Sequence, residues 1–261
     1  MNDNNPKIIH LGERDVILRN LRAHYYHRAG LNTEPALIFL HGWRSEARIW
    51  IPLLAHIALD ANIYLLDLPG FGKSDTPRIP FDMGQYAEVV REFFDKLELR
   101  NVVLIGHSFG GRIAIKLATR ERRVSRVVLV DSAGIRNARW WVTLFRFSTF
   151  ILHPTFALPG VRKIRPWIYR MLGAEDYLAT PELQATFVNV IREDLTPLLP
   201  RISQQTLIIW GKEDRETPLR LGVAMARAIP HARLSVFERA GHFSFLDNPQ
   251  RFAVELSSFL A

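Results

Sequence analysis

The hexapeptide Gly106-His107-Ser108-Phe109-Gly110-Gly111 constrains this chain more than any other feature. It follows the apolar run Val102-Val103-Leu104-Ile105 and precedes a stretch, Arg112–Arg120, whose apolar residues recur at helical spacing. A strand that turns straight into a helix around a serine holds that serine at strained backbone angles and lifts its side chain clear of the sheet. Small residues two before and two after are needed because strand and helix approach closely. The unbroken apolar run fits a strand covered on both faces, which requires a parallel sheet with helices on either side.

The rest of the chain alternates accordingly. Asp15–Asn20 and Leu21–Arg28 read as a first pair of strands with a turn near Asn20. Ala36–Leu40, Asn62–Asp67, Val102–Gly106, Arg126–Asp131, Thr206–Trp210 and Arg233–Glu238 read as further strands. Helices are predicted from Ser45, as N-cap, to Leu59, then over Tyr86–Leu97, Arg112–Arg120, Leu219–Ile229 and Pro249–Leu260. Residues 135–200 break the alternation: they hold no strand pattern and keep helical spacing. They form a predicted helical cap, or lid, inserted into a core domain made of 1–134 and 201–261.

A serine hydroxyl is a weak nucleophile at neutral pH and needs a base. His242, in Ala240-Gly241-His242-Phe243, follows the last strand and so lies at the same carboxyl edge of the sheet as Ser108. The base in turn needs a carboxylate to fix its tautomer. Asp214, in Trp210-Gly211-Lys212-Glu213-Asp214, and Asp131, after Val127-Val128-Leu129-Val130, both end strands on that edge. Asp214 is preferred because the chain order Ser, Asp, His is then kept. An oxyanion formed at Ser108 would take N–H donors from Phe109 and from Trp43, in His41-Gly42-Trp43. His41, His107, Phe243, Trp140 and Phe147 are the candidate pocket residues. His24 and His27, three apart on one strand, face opposite sides and make no metal pair. Gly72-Lys73-Ser74 lacks the first glycine of a phosphate loop, because Asp67 stands there.

Taken in order, His41-Gly42, Asp67-Leu68-Pro69-Gly70-Phe71-Gly72-Lys73-Ser74, the Ser108 turn, Trp210 to Asp214 and Gly241-His242 resemble the α/β-hydrolase superfamily over nearly the whole chain. The resemblance implies an α/β fold with an eight-stranded, mostly parallel sheet, helices on both faces and a cap inserted after the sixth strand. It implies a serine hydrolase that cleaves a carboxylic ester through an acyl-enzyme, like a carboxylesterase or lipase, without metal or organic cofactor. A serine at 108 sets the chain apart from haloalkane dehalogenases and epoxide hydrolases, which carry Asp there. Phe243 stands where hydrolases of ring-cleavage products show Trp, which weakens a C–C bond reading. His41-Gly42-Trp43 is similar to esterases acting on acyl-carrier-protein esters, so a carrier-bound ester or thioester is an alternative. A binding protein without catalysis is disfavoured, since no member of the catalytic set is missing.

The net charge of +8, from 34 Lys and Arg against 26 Asp and Glu, is concentrated. Residues 136–170 hold Arg136, Arg139, Arg146, Arg162, Lys163, Arg165 and Arg170 and no acid. On a helix over 136–152 the arginines fall beside an apolar sector of Trp140, Leu144, Phe147 and Ile151, a basic amphipathic element. Its apolar face suits an acyl pocket, so the expected substrate is a small ester with an apolar acyl group. Its charge suits an acidic carrier protein or an anionic surface. Nucleic acid is excluded as a partner because no recognised binding module is present. The absence of cysteine excludes disulfides and thiolate metal sites. With a polar N-terminus and no long apolar run, a cytoplasmic protein is expected.

Overall fold

The computed structural model describes residues 11–135 and 180–261. Trp140, Phe147 and the basic run 136–170 lie outside the described residues. Eight strands form one sheet: β1 (Gly12–Leu18), β2 (Leu21–Arg28), β3 (Asn32–Leu40), β4 (Ala61–Leu66), β5 (Val102–His107), β6 (Val124–Val130), β7 (Gln205–Gly211) and β8 (Ala232–Phe237). Their order across the sheet is β1-β2-β4-β3-β5-β6-β7-β8. β2 pairs antiparallel with β1 and β4, and every other pair is parallel. The expected mostly parallel, eight-stranded sheet is therefore present.

Side chains leave the sheet alternately, and each face has its own core. Ile38, Leu40, Leu104, Val127, Leu129 and Ile208 pack with Phe93, Ile113 and Met225 on one side. Leu37, Phe39, Val103, Ile105, Val128 and Ile209 pack with Trp50, Phe245 and Phe252 on the other. Burial on both faces explains the unbroken apolar runs, since at about 1.5–3 kcal/mol per large apolar side chain neither face tolerates a polar residue.

The helices among the described residues are α1 (Ile51–Leu54), α2 (Met83–Lys96), α3 (Phe109–Ala118), α4 (Gln184–Arg192), α5 (Leu219–Ala228), α6 (Ser244–Asp247) and α7 (Pro249–Leu260). α2 starts three residues before its predicted start because Asp82 and Gln85 form a reciprocal capping box. The helix predicted from Ser45 to Leu59 is not formed as such. A 3-10 turn over Ala47–Trp50, flanked by Glu46 rather than Ser45, leads into the single turn of α1. The chain leaves helix after Leu54 because Arg28 reaches in from β2 and donates to the carbonyls of Leu54 (3.3 Å), Ile57 (3.2 Å) and Leu59 (2.8 Å). β1 ends at Leu18 instead of Asn20, since Arg19 (φ 48°) and Asn20 (φ 62°) form the two-residue hairpin turn.

The stretch expected to interrupt the sheet does so after β6. Its two ends are tied together: Leu195 donates its N–H to the Gly134 carbonyl at 3.0 Å. Its described part, α4, is fastened to α3. Arg112 of α3 donates to the carbonyls of Val190 (2.6 Å) and Glu193, and Lys116 pairs with the Glu193 carboxylate. Among the described residues no helix is long and apolar enough to cross a membrane.

Candidate active site

The parallel strands all point the same way, so the loops after β3, β5, β6, β7 and β8 gather at one edge of the sheet. Ser108 sits between β5 and α3 at φ 48° and ψ −107°, the strained geometry expected of a nucleophile turn. A Cβ on Gly106 would lie 2.5 Å from the Gly110 carbonyl oxygen, and one on Gly110 would lie 2.3 Å from that of Leu40. Both flanking glycines are therefore dictated by close backbone approach.

His242 follows β8. Its Nδ1 lies 2.8 Å from Oδ2 of Asp214, and both side chains are buried. The Asp214 carboxylate is fixed on all sides. Its Oδ1 accepts the N–H groups of Glu216 (2.8 Å) and Thr217 (2.9 Å), and its Oδ2 accepts the Thr217 hydroxyl (2.7 Å). Trp210 holds this loop by donating its indole N–H to the Thr217 carbonyl at 2.7 Å. Burial disfavours a charged His242 ring, but the bond to Asp214, its charge and those of Glu216 and Asp131 outweigh burial and raise the imidazole pKa above its ordinary value.

Asp131, the rival carboxylate, faces other partners. Its Oδ1 accepts the Gly211 N–H (2.7 Å), and its Oδ2 accepts the Ser244 N–H (3.1 Å) and hydroxyl (2.6 Å). Burial pushes its pKa up to about 7 although these donors oppose the shift. It joins the ends of β6 and β7 to the turn that carries His242.

The two histidines expected in the pocket lie beneath the site instead, both buried. His41 bonds through Nδ1 to the Gly42 carbonyl (2.8 Å) and accepts the Leu68 N–H on Nε2 (3.0 Å), which fixes the neutral Nδ1–H tautomer. Burial lowers its pKa further. His107 donates from Nε2 to the His242 carbonyl at 2.7 Å, and burial pushes its pKa down to about 3. Sequence adjacency to the motifs pointed to these rings, but nearness along the chain does not say which way a side chain faces. Phe243 is 37% exposed and packs against His107 with ring centroids 5.0 Å apart.

The His41-Gly42-Trp43 loop is pinned to the start of α3, where the Gly110 N–H donates to the His41 carbonyl at 3.1 Å. Phe109 opens α3, so its N–H has no partner within the helix. Trp43 also meets three aromatic rings, Phe71 (4.9 Å), Phe109 (5.3 Å) and Phe187 of α4 (5.1 Å), forming an apolar wall. Phe71, Phe187, Glu216 and Thr217 join the site through the fold, and the motifs assign them no role of their own. The spacing of Asp214, Glu216, Thr217 and Pro218 was the one available signal for a carboxylate-wrapping turn. Among the described residues no group of His, Asp and Glu is arranged to hold a metal ion.

A serine on a strained strand-to-helix turn, with a buried His–Asp pair from the loops after β8 and β7 at the same sheet edge, defines a hydrolase architecture. Residues 37–256 match the model of the alpha/beta hydrolase family, and the chain belongs to that family. It is 29% identical over 238 residues to a pimeloyl-[acyl-carrier protein] methyl ester esterase of Nitrosomonas europaea, covering 84% of this chain and 92% of that one. It is 26% identical over 254 residues to a 2-hydroxy-6-oxononadienedioate/2-hydroxy-6-oxononatrienedioate hydrolase of a Pseudomonas species, covering 88% and 89%. Among solved structures it is similar to a membrane phospholipase A described as a bacterial virulence factor, with TM-score 0.77, 26% identity and coverage of 96% and 86%.

Proposed function

We propose that this hydrolase cleaves carboxylic esters through an acyl-enzyme, with Ser108 as nucleophile, His242 as base and Asp214 as its orienting carboxylate. The observation that carries this reading is the 2.8 Å contact between His242 Nδ1 and Asp214 Oδ2, which leaves Nε2 for the serine. Nε2 takes the Ser108 proton as Oγ bonds to the ester carbonyl carbon, and the Phe109 and Trp43 N–H groups receive the oxyanion. The C–O bond to the alcohol then breaks, and His242 returns the proton to the departing oxygen. Water, deprotonated by His242, attacks the acyl carbon and releases the acid and Ser108. No metal or organic cofactor enters these steps. The rings of Trp43, Phe71, Phe109 and Phe187 suit an apolar acyl chain.

Turnover of 4-nitrophenyl esters, with labelling by a fluorophosphonate probe, tests this reading. Ser108→Ala abolishes both; turnover that survives in the variant overturns the assignment.

A carrier-bound acyl ester is a second reading, supported by the esterase relative and by seven cations without an acid in residues 136–170. An acidic carrier protein or an anionic surface would then meet residues 135–200, as a cap over the site, in a cytoplasmic setting. C–C bond cleavage on the same residues is a third reading, supported by the Pseudomonas relative and by other hydrolases of that substrate class among the similar proteins.

A further inference from the structure

His242 has a second carboxylate neighbour that the mechanism above does not use. Glu216 places Oε2 3.4 Å from His242 Nε2, on the nitrogen opposite the one that Asp214 holds. Its side chain is 65% exposed, so it borders solvent and the imidazole at once. Among the described residues, the charged or titratable groups facing this ring are Asp214 and Glu216 from the β7–α5 loop, Asp131 from the end of β6 and His107 from the end of β5. Of these, Glu216 alone is on the Nε2 side with an exposed carboxylate.

We propose that Glu216 determines leaving-group specificity, selecting against alcohols that carry a negative charge and favouring neutral or cationic ones. This rests on the ester-cleaving reading, because the departing oxygen must come within hydrogen-bond reach of Nε2 to receive its proton. That brings the leaving group within a few ångströms of the Glu216 carboxylate as well. In a solvent-exposed setting two unit charges at such a distance interact by about 1 kcal/mol, a factor of about five in rate.

Three matched aryl acetates test the proposal: phenyl acetate, 4-acetoxybenzoate and (3-acetoxyphenyl)trimethylammonium. Each is compared between the wild type and the Glu216→Gln and Glu216→Lys variants, so intrinsic differences in leaving ability cancel. The cationic-to-anionic ratio of kcat/KM falls about 25-fold in Glu216→Gln, about fivefold from each charge, and further in Glu216→Lys. The wild-type ratio shrinks in 0.5 M salt, as screening of an exposed charge requires. A ratio that stays within twofold across the three proteins, with Ser108-dependent turnover of phenyl acetate intact, overturns this inference and spares the ester reading. A wild type that cleaves none of the three esters overturns both.

Discussion

His107 and His242 are joined by a single bond, 2.7 Å from the His107 Nε2 to the His242 carbonyl oxygen, across 135 residues of chain. The residue before Ser108, the proposed nucleophile, thus carries the backbone of His242, the proposed base. The ring is neutral, since burial pushes its pKa to about 3, and it is packed between Trp50, Phe243 and Phe245.

His107→Ala removes the side-chain hydrogen bond that joins the two loops. We expect kcat to fall at least tenfold while KM changes little, because the loss is in the positioning of His242. His107→Gln, which keeps a donor, restores part of kcat. Equal loss in both variants, or loss in KM alone, would contradict a positioning role.

The pH profile follows from the raised His242 pKa. Neutral imidazole is the working base, so kcat/KM falls as pH drops through the folded-state pKa. The acid limb lies above the ordinary value for a free imidazole, about 6.5. Asp214→Asn removes the bond and the charge that raise it, and shifts the limb to lower pH with a large loss of rate. An acid limb at or below the ordinary value in the wild type would sink this account.

Asp131 gives stability its own pH dependence. Its folded pKa of about 7 is raised above the ordinary carboxyl value of 3.8, so the folded state binds more protons than the unfolded one between these values. This contribution favours folding at low pH and is lost as pH rises through that window, by a few kcal/mol at most. Asp131→Asn does not titrate, so the variant's melting temperature improves relative to wild type as pH is raised from 4 to 8. Parallel melting curves across that range would refute it.

Arg28 carries a prediction confined to stability. Its guanidinium serves three carbonyls at and beyond the end of α1, and Arg28→Met leaves them without that donor. The expected loss is about 1–3 kcal/mol. Ester turnover at 25 °C is unchanged because the residue lies on β2, away from the loops at the carboxyl edge. A melting temperature within 1 °C of wild type would count against it.

The Lys116–Glu193 pair separates charge from packing. Lys116 is 7% exposed and Glu193 33%, so Glu193→Gln strands a buried ammonium and costs about 1–3 kcal/mol, discounted for partial solvent access. Lys116→Met combined with Glu193→Gln recovers most of that loss. Additive destabilisation in the double variant would mean that the two side chains act independently and that the ion pair contributes no coupling.

What could be read from the chain follows a physical division. The strands were legible because burial on both faces leaves no room for polar residues. The Ser108 turn was legible because glycine is forced at 106 and 110 by backbone contact. Asp214 could be separated from Asp131 only by chain order, since both end strands at one edge. Their hydrogen-bond partners tell them apart: His242 for one, Gly211 and Ser244 for the other. The end of α1 was illegible because it depends on Arg28, some 26 to 31 residues earlier. Glu216 was illegible for a similar reason: its place beside Nε2 follows from the folded turn rather than from any pattern of residue types.

The bond between Leu195 and Gly134 closes residues 135–194 into a loop with fixed ends. Whatever shape that segment takes, its entropy is accounted for at the root, and the sheet does not register its length beyond a slowly growing logarithmic term. On the cap reading proposed above, the segment is a cassette. Splicing a relative's corresponding stretch between Gly134 and Leu195, with Arg112 and Lys116 still able to grip its last helix, would exchange acyl preference without rebuilding the catalytic edge. Diversification of such a chain would then proceed by replacement of one module over an unchanged chemical floor.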